Sequence, residues 1–394
     1  MAVTKLRITL FFAAAFTVIY SPFCLGAILP EQRADILYHA YDGGGVTIDG
    51  PSVLVRKNFN EKISVYGNYY VDMVTSASID VLTMASEYTE ERTEYSLGAD
   101  YLNDRTIMSL SFTNSSENDY EADTLGFSVS QEFFGDLSTI TMGFSMGDDT
   151  VKATGADGFE EATERKRFNI AYTQILSKRL LTSLTYESVI DEGFLRNPYR
   201  QIRDASGFIT PGAALPCEDN DSGVSVGSEC YPETRNSEAF ALRGIYAITP
   251  QSSIRAEYRL YDDSWGVQGS NVELRYAQQI GSRWLIEFRY RQYQQNEADF
   301  YGDLFDFSME IPEFYARDKE LSDYSAQQFG IGVTYTFKSR NAFFNNSTLN
   351  FQWDQMTFDY NNFLDATVTT VTPGTEPSYS LDADVIRIFY SAFF

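Results

Sequence analysis

Apolar and polar side chains alternate along most of this chain, in runs of about ten to fifteen residues. In Trp284-Leu285-Ile286-Glu287-Phe288-Arg289-Tyr290-Arg291, the residues Trp284, Ile286, Phe288 and Tyr290 are apolar while Glu287, Arg289 and Arg291 are charged. Only a two-residue period sorts them this way, so the segment predicts a strand with one apolar and one charged face. The runs before it agree: Ile254, Ala256, Tyr258 and Leu260 oppose Arg255, Glu257 and Arg259, and Val272, Leu274 and Tyr276 oppose Glu273 and Arg275. An Arg or Lys facing lipid near the bilayer midplane costs about 2 to 4 kcal/mol, so the charged faces are expected to point into an interior and the apolar faces outward.

Short and long polar breaks alternate between the runs. The short ones fall near residues 58–61, 103–104, 134–136, 177–179, 249–251, 281–283 and 338–345; the long ones span 76–91, 117–120, 147–163, 191–236, 263–266, 296–322 and 361–378. Tight turns at one end and long loops at the other are the pattern of a transmembrane β-barrel. Fifteen strands follow residue 45, and segment 34–41 with the turn Gly43-Gly44-Gly45 supplies a sixteenth, giving the even number that closure needs. The expected fold is all-β, a transmembrane antiparallel barrel of about sixteen strands formed by residues 28–394 as a single domain, with 191–236 as a long extracellular loop. Pro51 removes a ladder hydrogen bond, so the alternative is a fourteen-strand barrel with the N-terminal segment tucked inside as a plug.

Composition supports the barrel over its competitors. Of 394 residues, 15% are aromatic and 22% charged, and mean hydropathy is −0.27. That is too polar for helical spans and unusually aromatic for a soluble enzyme, but it suits apolar-out, polar-in strands with aromatic girdles. The formal charge of −25 becomes −27 once Lys5 and Arg7 are removed, which argues against nucleic acid as a partner. It suits carboxylate-rich loops facing lipopolysaccharide bridged by divalent cations.

Both ends carry sorting information. Lys5 and Arg7, an apolar stretch at 10–20 and the small-residue site Leu25-Gly26-Ala27 predict a secretory leader covering residues 1–27. Cys24 would leave with it, so Cys217 and Cys230 remain in one polar segment of an exported chain, where a disulfide is expected. The final run places Ile386, Ile388, Tyr390, Ala392 and Phe394 on one face, with Arg387 and Ser391 on the other. A strand closed by a terminal aromatic, here Phe394 with Tyr390 before it, resembles the insertion signal of bacterial outer-membrane barrels. That resemblance implies the outer membrane as compartment, its lipid and lipopolysaccharide as surroundings, and the barrel assembly machinery as a partner.

Longer motifs resemble a family. They are Leu29-Pro30-Glu31-Gln32-Arg33-Ala34-Asp35, Tyr41-Asp42-Gly43-Gly44-Gly45-Val46-Thr47-Ile48-Asp49-Gly50-Pro51-Ser52, Ser115-Ser116-Glu117-Asn118-Asp119-Tyr120, Asp191-Glu192-Gly193-Phe194-Leu195 and Ala316-Arg317-Asp318-Lys319-Glu320-Leu321. Together they resemble an uncharacterised family of Gram-negative outer-membrane proteins, and the resemblance covers essentially the mature chain. It implies a barrel, brings no established activity or catalytic residues, and hints at a small lipoprotein or a periplasmic redox protein as partner. The insert bearing Cys217 and Cys230 departs from the family pattern.

The strongest candidate for function is the charged wall formed by Arg243, Arg255, Arg259, Arg275, Arg289 and Arg291 with Glu257, Glu273 and Glu287. About eight strands are filled by their own side chains, whereas sixteen enclose an aqueous lumen, and charges lining a lumen select solutes by sign. The competing reading is that opposite charges pair across the ladder and fill the interior. A porin-like channel for small polar or charged solutes is therefore expected, with a structural or docking barrel as the alternative, and no catalytic set, metal site or cofactor. His39, the one histidine, could serve as a base with Ser52 or Asp42, but no nucleophile motif accompanies it. The glycine-rich Asp42–Pro51 motif reads as a hairpin tip sooner than a calcium site, and Glu218-Asp219-Asn220-Asp221-Ser222-Gly223 lacks the glutamate that would complete a calcium loop. Thr89-Glu90-Glu91-Arg92 and Arg317-Asp318-Lys319-Glu320 are expected at a solvated rim or as ties between loops.

Overall fold

A computed structural model describes residues 27–84, 88–154, 158–204, 206–208, 229–306, 312–338 and 346–394; the expected leader and Cys217 lie outside the described residues. Sixteen long strands form the wall. The first nine are β1 (Arg33–Gly43), β2 (Val46–Phe59), β3 (Ile63–Ser76), β4 (Tyr88–Asn103), β5 (Thr106–Ser116), β6 (Tyr120–Phe133), β7 (Ser138–Lys152), β8 (Glu160–Ser177) and β9 (Leu180–Gly193). A two-residue pair, β10 (Arg203–Asp204) and β11 (Gly207–Phe208), lies in the connection that follows. The wall resumes with β12 (Thr234–Thr249), β13 (Ser252–Asp263), β14 (Gln268–Ile280), β15 (Trp284–Gln295), β16 (Tyr324–Lys338), β17 (Asn346–Leu364) and β18 (Ser378–Phe393). Each strand pairs antiparallel with its neighbours, and β1 closes the ring on β18 from Arg33 opposite Phe393 to Gly43 opposite Ala383.

The N-terminal segment is thus wall and not plug, which corrects the fourteen-strand alternative. Its Ile36 and Tyr38 point outward beside Tyr390 and Ile388 of β18, and its backbone pairs on both sides, as a strand in a closed sheet must. Pro51 is accommodated because the ladder between β2 and β3 skips Gly50 and Pro51 and resumes in the same register. Gly44 and Gly45 take positive φ in the two-residue turn joining β1 to β2, a conformation that side chains disfavour.

The exterior is apolar in every strand. Exposed side chains include Leu97, Leu110, Phe127, Leu184, Phe288 and Phe351, one or more per strand around the ring. An apolar band of this extent on a closed sheet is stable only against hydrocarbon, since every backbone group is already paired within the wall. No described helix is long and apolar enough to cross a membrane.

The strands reach further toward the long loops than the alternation indicated. Around the 147–163 break, β7 runs on to Lys152 and β8 starts at Glu160; around the 191–236 break, β9 ends at Gly193 and β12 begins at Thr234. Beyond the apolar band both faces meet water, so polar residues such as Asp148 and Asp149 occupy both and leave no period to detect. One short helix, α1 (Ile79–Met84), sits in the β3–β4 connection and buries Ile79 against Tyr360 and Phe363.

Candidate functional site

The side chains of β12–β15 that face away from the apolar band form one wall of the lumen. They include seven arginines (Arg235, Arg243, Arg255, Arg259, Arg275, Arg289, Arg291) against four carboxylates (Glu257, Asp263, Glu273, Glu287), a formal excess of three positive charges. Register puts Arg255, Arg275 and Arg289 directly across from one another, and likewise Glu257 and Glu273. Like charges so placed repel, and the neighbouring row relieves them. Arg243 Nε donates to Glu257 Oε2 at 2.5 Å, Arg255 to the same oxygen at 3.0 Å, and Arg275 Nε to Glu273 Oε1 at 2.6 Å. Arg259 pairs with Glu187 of β9 at 3.0 Å. Arg289 instead lies 3.4 Å from Asp354, a fully buried carboxylate on β17 whose other oxygen is 3.7 Å from Arg387 on β18. Gly330 on the intervening β16 makes that contact fit, because a Cβ there would lie 2.0 Å from Asp354 Oδ1.

The wall opposite has the reverse sign. Around the ring of sixteen, β3 and β4 stand eight places from β13 and β14, which is diametrically across. Their inward side chains carry Asp72, Glu90, Glu94 and Asp100 against a single Arg92, a formal excess of three negative charges. His39 belongs to this side. Its Nε2 lies 2.6 Å from Asp72 Oδ1 and 3.0 Å from the Tyr70 hydroxyl, and its ring stacks on Tyr70 at 4.7 Å. It reaches from β1 past β2 to β3; Gly50, opposite it on β2, lets the β2 and β3 backbones approach closely, since a Cβ there would sit 1.8 Å from the Val71 carbonyl oxygen. Ser52 donates to Asn68 at 3.0 Å and Asp42 points to the other face of β1, so neither meets His39. The expected base with Ser52 or Asp42 is not assembled.

The described parts of the long connections after β9, β15 and β17 fold together over the mouth. Arg203, 3% exposed, donates through Nη1 to Glu376 at 2.7 Å and through Nη2 to Asp303, tying the 194–233, 296–323 and 365–377 connections together. Burial pushes the Glu376 carboxyl up, but hydrogen bonds from Arg203 and from the Gly374 N–H at 2.7 Å hold it below its ordinary value. Arg317 also contacts Asp303, at 3.1 Å, and lies 4.3 Å over the Phe363 ring, while its backbone N–H donates to Glu229 at 2.7 Å. The Arg317-Asp318-Lys319-Glu320 patch is divided: Arg317 and Asp318 are buried, Lys319 is half-buried and Glu320 exposed, and Asp318 accepts from the Glu320 N–H at the start of a single 3-10 turn. Trp265 meets Tyr231 and Phe300 edge to face, and those two rings are tilted against each other, all with centroids within 5.5 Å, in this cap. Cys230 is buried beside Ile202 and Tyr315; its expected bond to Cys217 and the Glu218–Gly223 segment fall outside the described residues. A cavity of about 560 Å³ is lined by Lys319 and Glu320 of the cap together with Arg165, Asp191, Tyr41 and Tyr360 of the wall.

The Thr89–Arg92 patch divides by parity: Glu90 and Arg92 turn inward and Glu91 outward. Glu90, Glu117 and Asp119 lie within 4.8 Å of one another, and burial together with Glu90 pushes the Glu117 carboxyl up. Gly44 and Gly45 form the expected hairpin tip, and Asp49 accepts from the Tyr38 hydroxyl at 2.7 Å. At the other end of the barrel, Tyr390 is 43% exposed among lipid-facing residues, and the Phe394 ring lies under Lys57 Nζ at 5.0 Å. The cap and the His39–Asp72 pairing left no sequence signal beyond the acidic and basic residues scattered through the loops and a glycine at an inward position.

These features define a closed sixteen-strand barrel with a lumen polarised across its width and a folded cap. The chain belongs to the family described as "Protein of unknown function (DUF3570)", which it matches over residues 82–169 and 160–354. No curated protein matches its sequence. Among solved structures it is similar to a siderophore receptor PirA from Pseudomonas aeruginosa, with 8% identity and a TM-score of 0.44, over 91% of this chain and 62% of that one. It is also similar to a bacterial polysaccharide outer membrane secretin, with 6% identity and a TM-score of 0.49 over 93% and 99% of the two chains. A Pseudomonas aeruginosa FadL homologue shares 9% identity with a TM-score of 0.43 over 92% and 90%.

Proposed function

We propose that this protein is an outer-membrane channel that passes small polar or charged solutes by diffusion, without chemistry. One observation carries the reading: an inner wall with three excess positive charges on β12–β15 faces one with three excess negative charges on β3–β4. A field directed across a water-filled barrel orders dipolar water and favours solutes that present both a charge and an orientable polar body, while it raises the barrier for apolar ones. Pairs with flanking strands, Arg259 to Glu187, Arg289 to Asp354 and Arg56 to Asp100, reduce each excess without reversing its sign. The test is single-channel recording from purified protein in planar bilayers, with reversal potentials measured in a salt gradient. Discrete conductance steps are expected, and flat traces would remove the reading.

A second reading, a docking barrel for a small lipoprotein or periplasmic partner, is favoured by the cap, whose buried ionic ties suit a closed mouth. A stoichiometric partner retained through purification, together with the absence of conductance, would establish it.

A further inference from the structure

The short-turn end of the barrel carries a carboxylate that is only half satisfied. Glu132, the inward residue before Phe133 at the end of β6, keeps Oε2 buried with no hydrogen-bond partner. The charges acting on it are Asp136 in the β6–β7 turn and Arg105 in the β4–β5 turn, with Arg105 Nε 3.7 Å from Asp136 Oδ1. Two carboxylates against one guanidinium leave this group with a negative charge in excess. A backbone nitrogen already sits on it, for the N–H of Ala27 donates to the Glu132 carboxylate. Residues 27–32 carry that nitrogen along the rim from the start of β1: Asn58 on β2 donates from its backbone N–H to Gln32 Oε1 at 3.3 Å and from Nδ2 to the Pro30 carbonyl at 2.9 Å, and Leu29 is buried. Ala27 is also where the expected leader meets the barrel. Leaders are cut after small residues in an A-x-A-like pattern. Hydrolysis after Gly26 puts Cys24 and Gly26 at the two constrained positions, whereas hydrolysis after Ala27 puts the bulky Leu25 at the first of them. The two cuts leave different molecules. The first keeps the nitrogen at Glu132; the second discards it and leaves the new amine on Ile28, which is 84% exposed.

We propose that the leader is removed between Gly26 and Ala27, one residue before the boundary the sequence predicts, and that the freed α-ammonium of Ala27 is bound by Glu132 and Asp136, pinning the N-terminal segment to the rim. The peptidase that removes secretory leaders adds water across the Gly26–Ala27 amide. The water oxygen ends in the Gly26 carboxylate, which departs with the leader, and both water protons end on the Ala27 nitrogen. One neutral donor thereby becomes a cation with three, able to serve Oε2 as well and to cancel the excess charge. Nothing has to enter the site, because the nitrogen is in place before the cut changes its charge. The assignment stands whether or not the barrel conducts.

The experiment takes the barrel purified from outer membranes in detergent, acetylates its amines briefly at a series of pH values, then denatures it, digests it with trypsin and weighs the N-terminal peptide. One peptide reads both claims. It spans residues 27–33, ending at Arg33, if the cut precedes Ala27, and residues 28–33 if the cut follows it. A free α-amine titrates near ~7.7–8.0, and neighbouring carboxylates favour its charged, unreactive form. The folded barrel should therefore show a labelling midpoint about one pH unit higher than the urea-unfolded barrel, and label roughly tenfold more slowly at neutral pH. Glu132→Gln and, separately, Asp136→Asn should each lower the midpoint toward the unfolded value. Simple shielding of the amine would slow labelling at every pH without moving the midpoint. A mature chain that starts anywhere but Ala27 would overturn the cleavage assignment. A midpoint equal in folded and unfolded wild type, a comparison that needs no variant to fold, or one indifferent to both substitutions, would overturn the anchor.

Discussion

Removing Arg203 should open the cap. This residue is 3% exposed and neutralises two carboxylates from different connections, Asp303 and Glu376, both themselves buried. In Arg203→Met the aliphatic volume is roughly kept, while both carboxylates stay in the cap with their common cation gone. Deleting one partner of a buried ionic set costs about 3–5 kcal/mol, because the charge left behind is uncompensated. Arg317, 3.1 Å from Asp303, moderates this toward the lower bound. At about 3 kcal/mol the closed-to-open ratio of the cap falls on the order of a hundredfold. The assay pairs open probability in planar bilayers with limited trypsin digestion, followed at Arg317 and Lys319, which the closed cap shields or half-shields. Both should rise together while the barrel itself keeps its heat-modifiable mobility. A triple variant, Arg203→Met with Asp303→Asn and Glu376→Gln, removes the orphaned charges and should recover most of the protection. Unchanged cleavage and gating in Arg203→Met, or a triple variant no better than the single one, would refute the view that these ionic ties hold the mouth shut.

Acid should have a similar effect. Glu376 titrates below its ordinary value of 4.5, so its contribution to cap stability is fully present above that pH and is lost as pH falls through the lowered value; trypsin-independent probes such as pepsin cleavage should report loosening only in that acid range. Gly50→Ala should weaken the β2–β3 seam, since the new Cβ would lie 1.8 Å from the Val71 carbonyl oxygen; a lower temperature for the heat-modifiable gel shift is expected, and an unchanged one would show that the seam relaxes freely. Deleting Phe394 should lower the amount of folded protein recovered from the outer membrane, measured by fractionation, while wild-type recovery would deny the terminal aromatic its proposed role in insertion.

The wall of the barrel was legible in the sequence because a closed sheet between lipid and water imposes a period of two on every strand. The run Trp284–Arg291 is readable for that reason, whereas segment 34–41 is blurred by Leu37, an apolar residue on the inward face between the outward Ile36 and Tyr38. The cap was not legible. Its ties join Arg203 to Asp303 and Glu376 across sequence separations of 100 and 173 residues, through loops with no regular period. The charged wall on β12–β15 could be assembled strand by strand, but the carboxylates balancing it could not. Glu187 and Asp354 come from β9 and β17, and which strand stands across the lumen follows only from ring order. His39 illustrates the same limit, for its partner Asp72 lies two strands away and becomes its neighbour only through the ring order.

The pairing of β1 with β18 over eleven residues has a consequence for biogenesis. The earliest strand to emerge must wait with one edge unsatisfied until the last has been delivered, so no truncated intermediate can seal itself. Quality control in such a molecule is topological: a chain interrupted anywhere keeps an open flank that a chaperone or protease can grip, and only the finished polypeptide hides both.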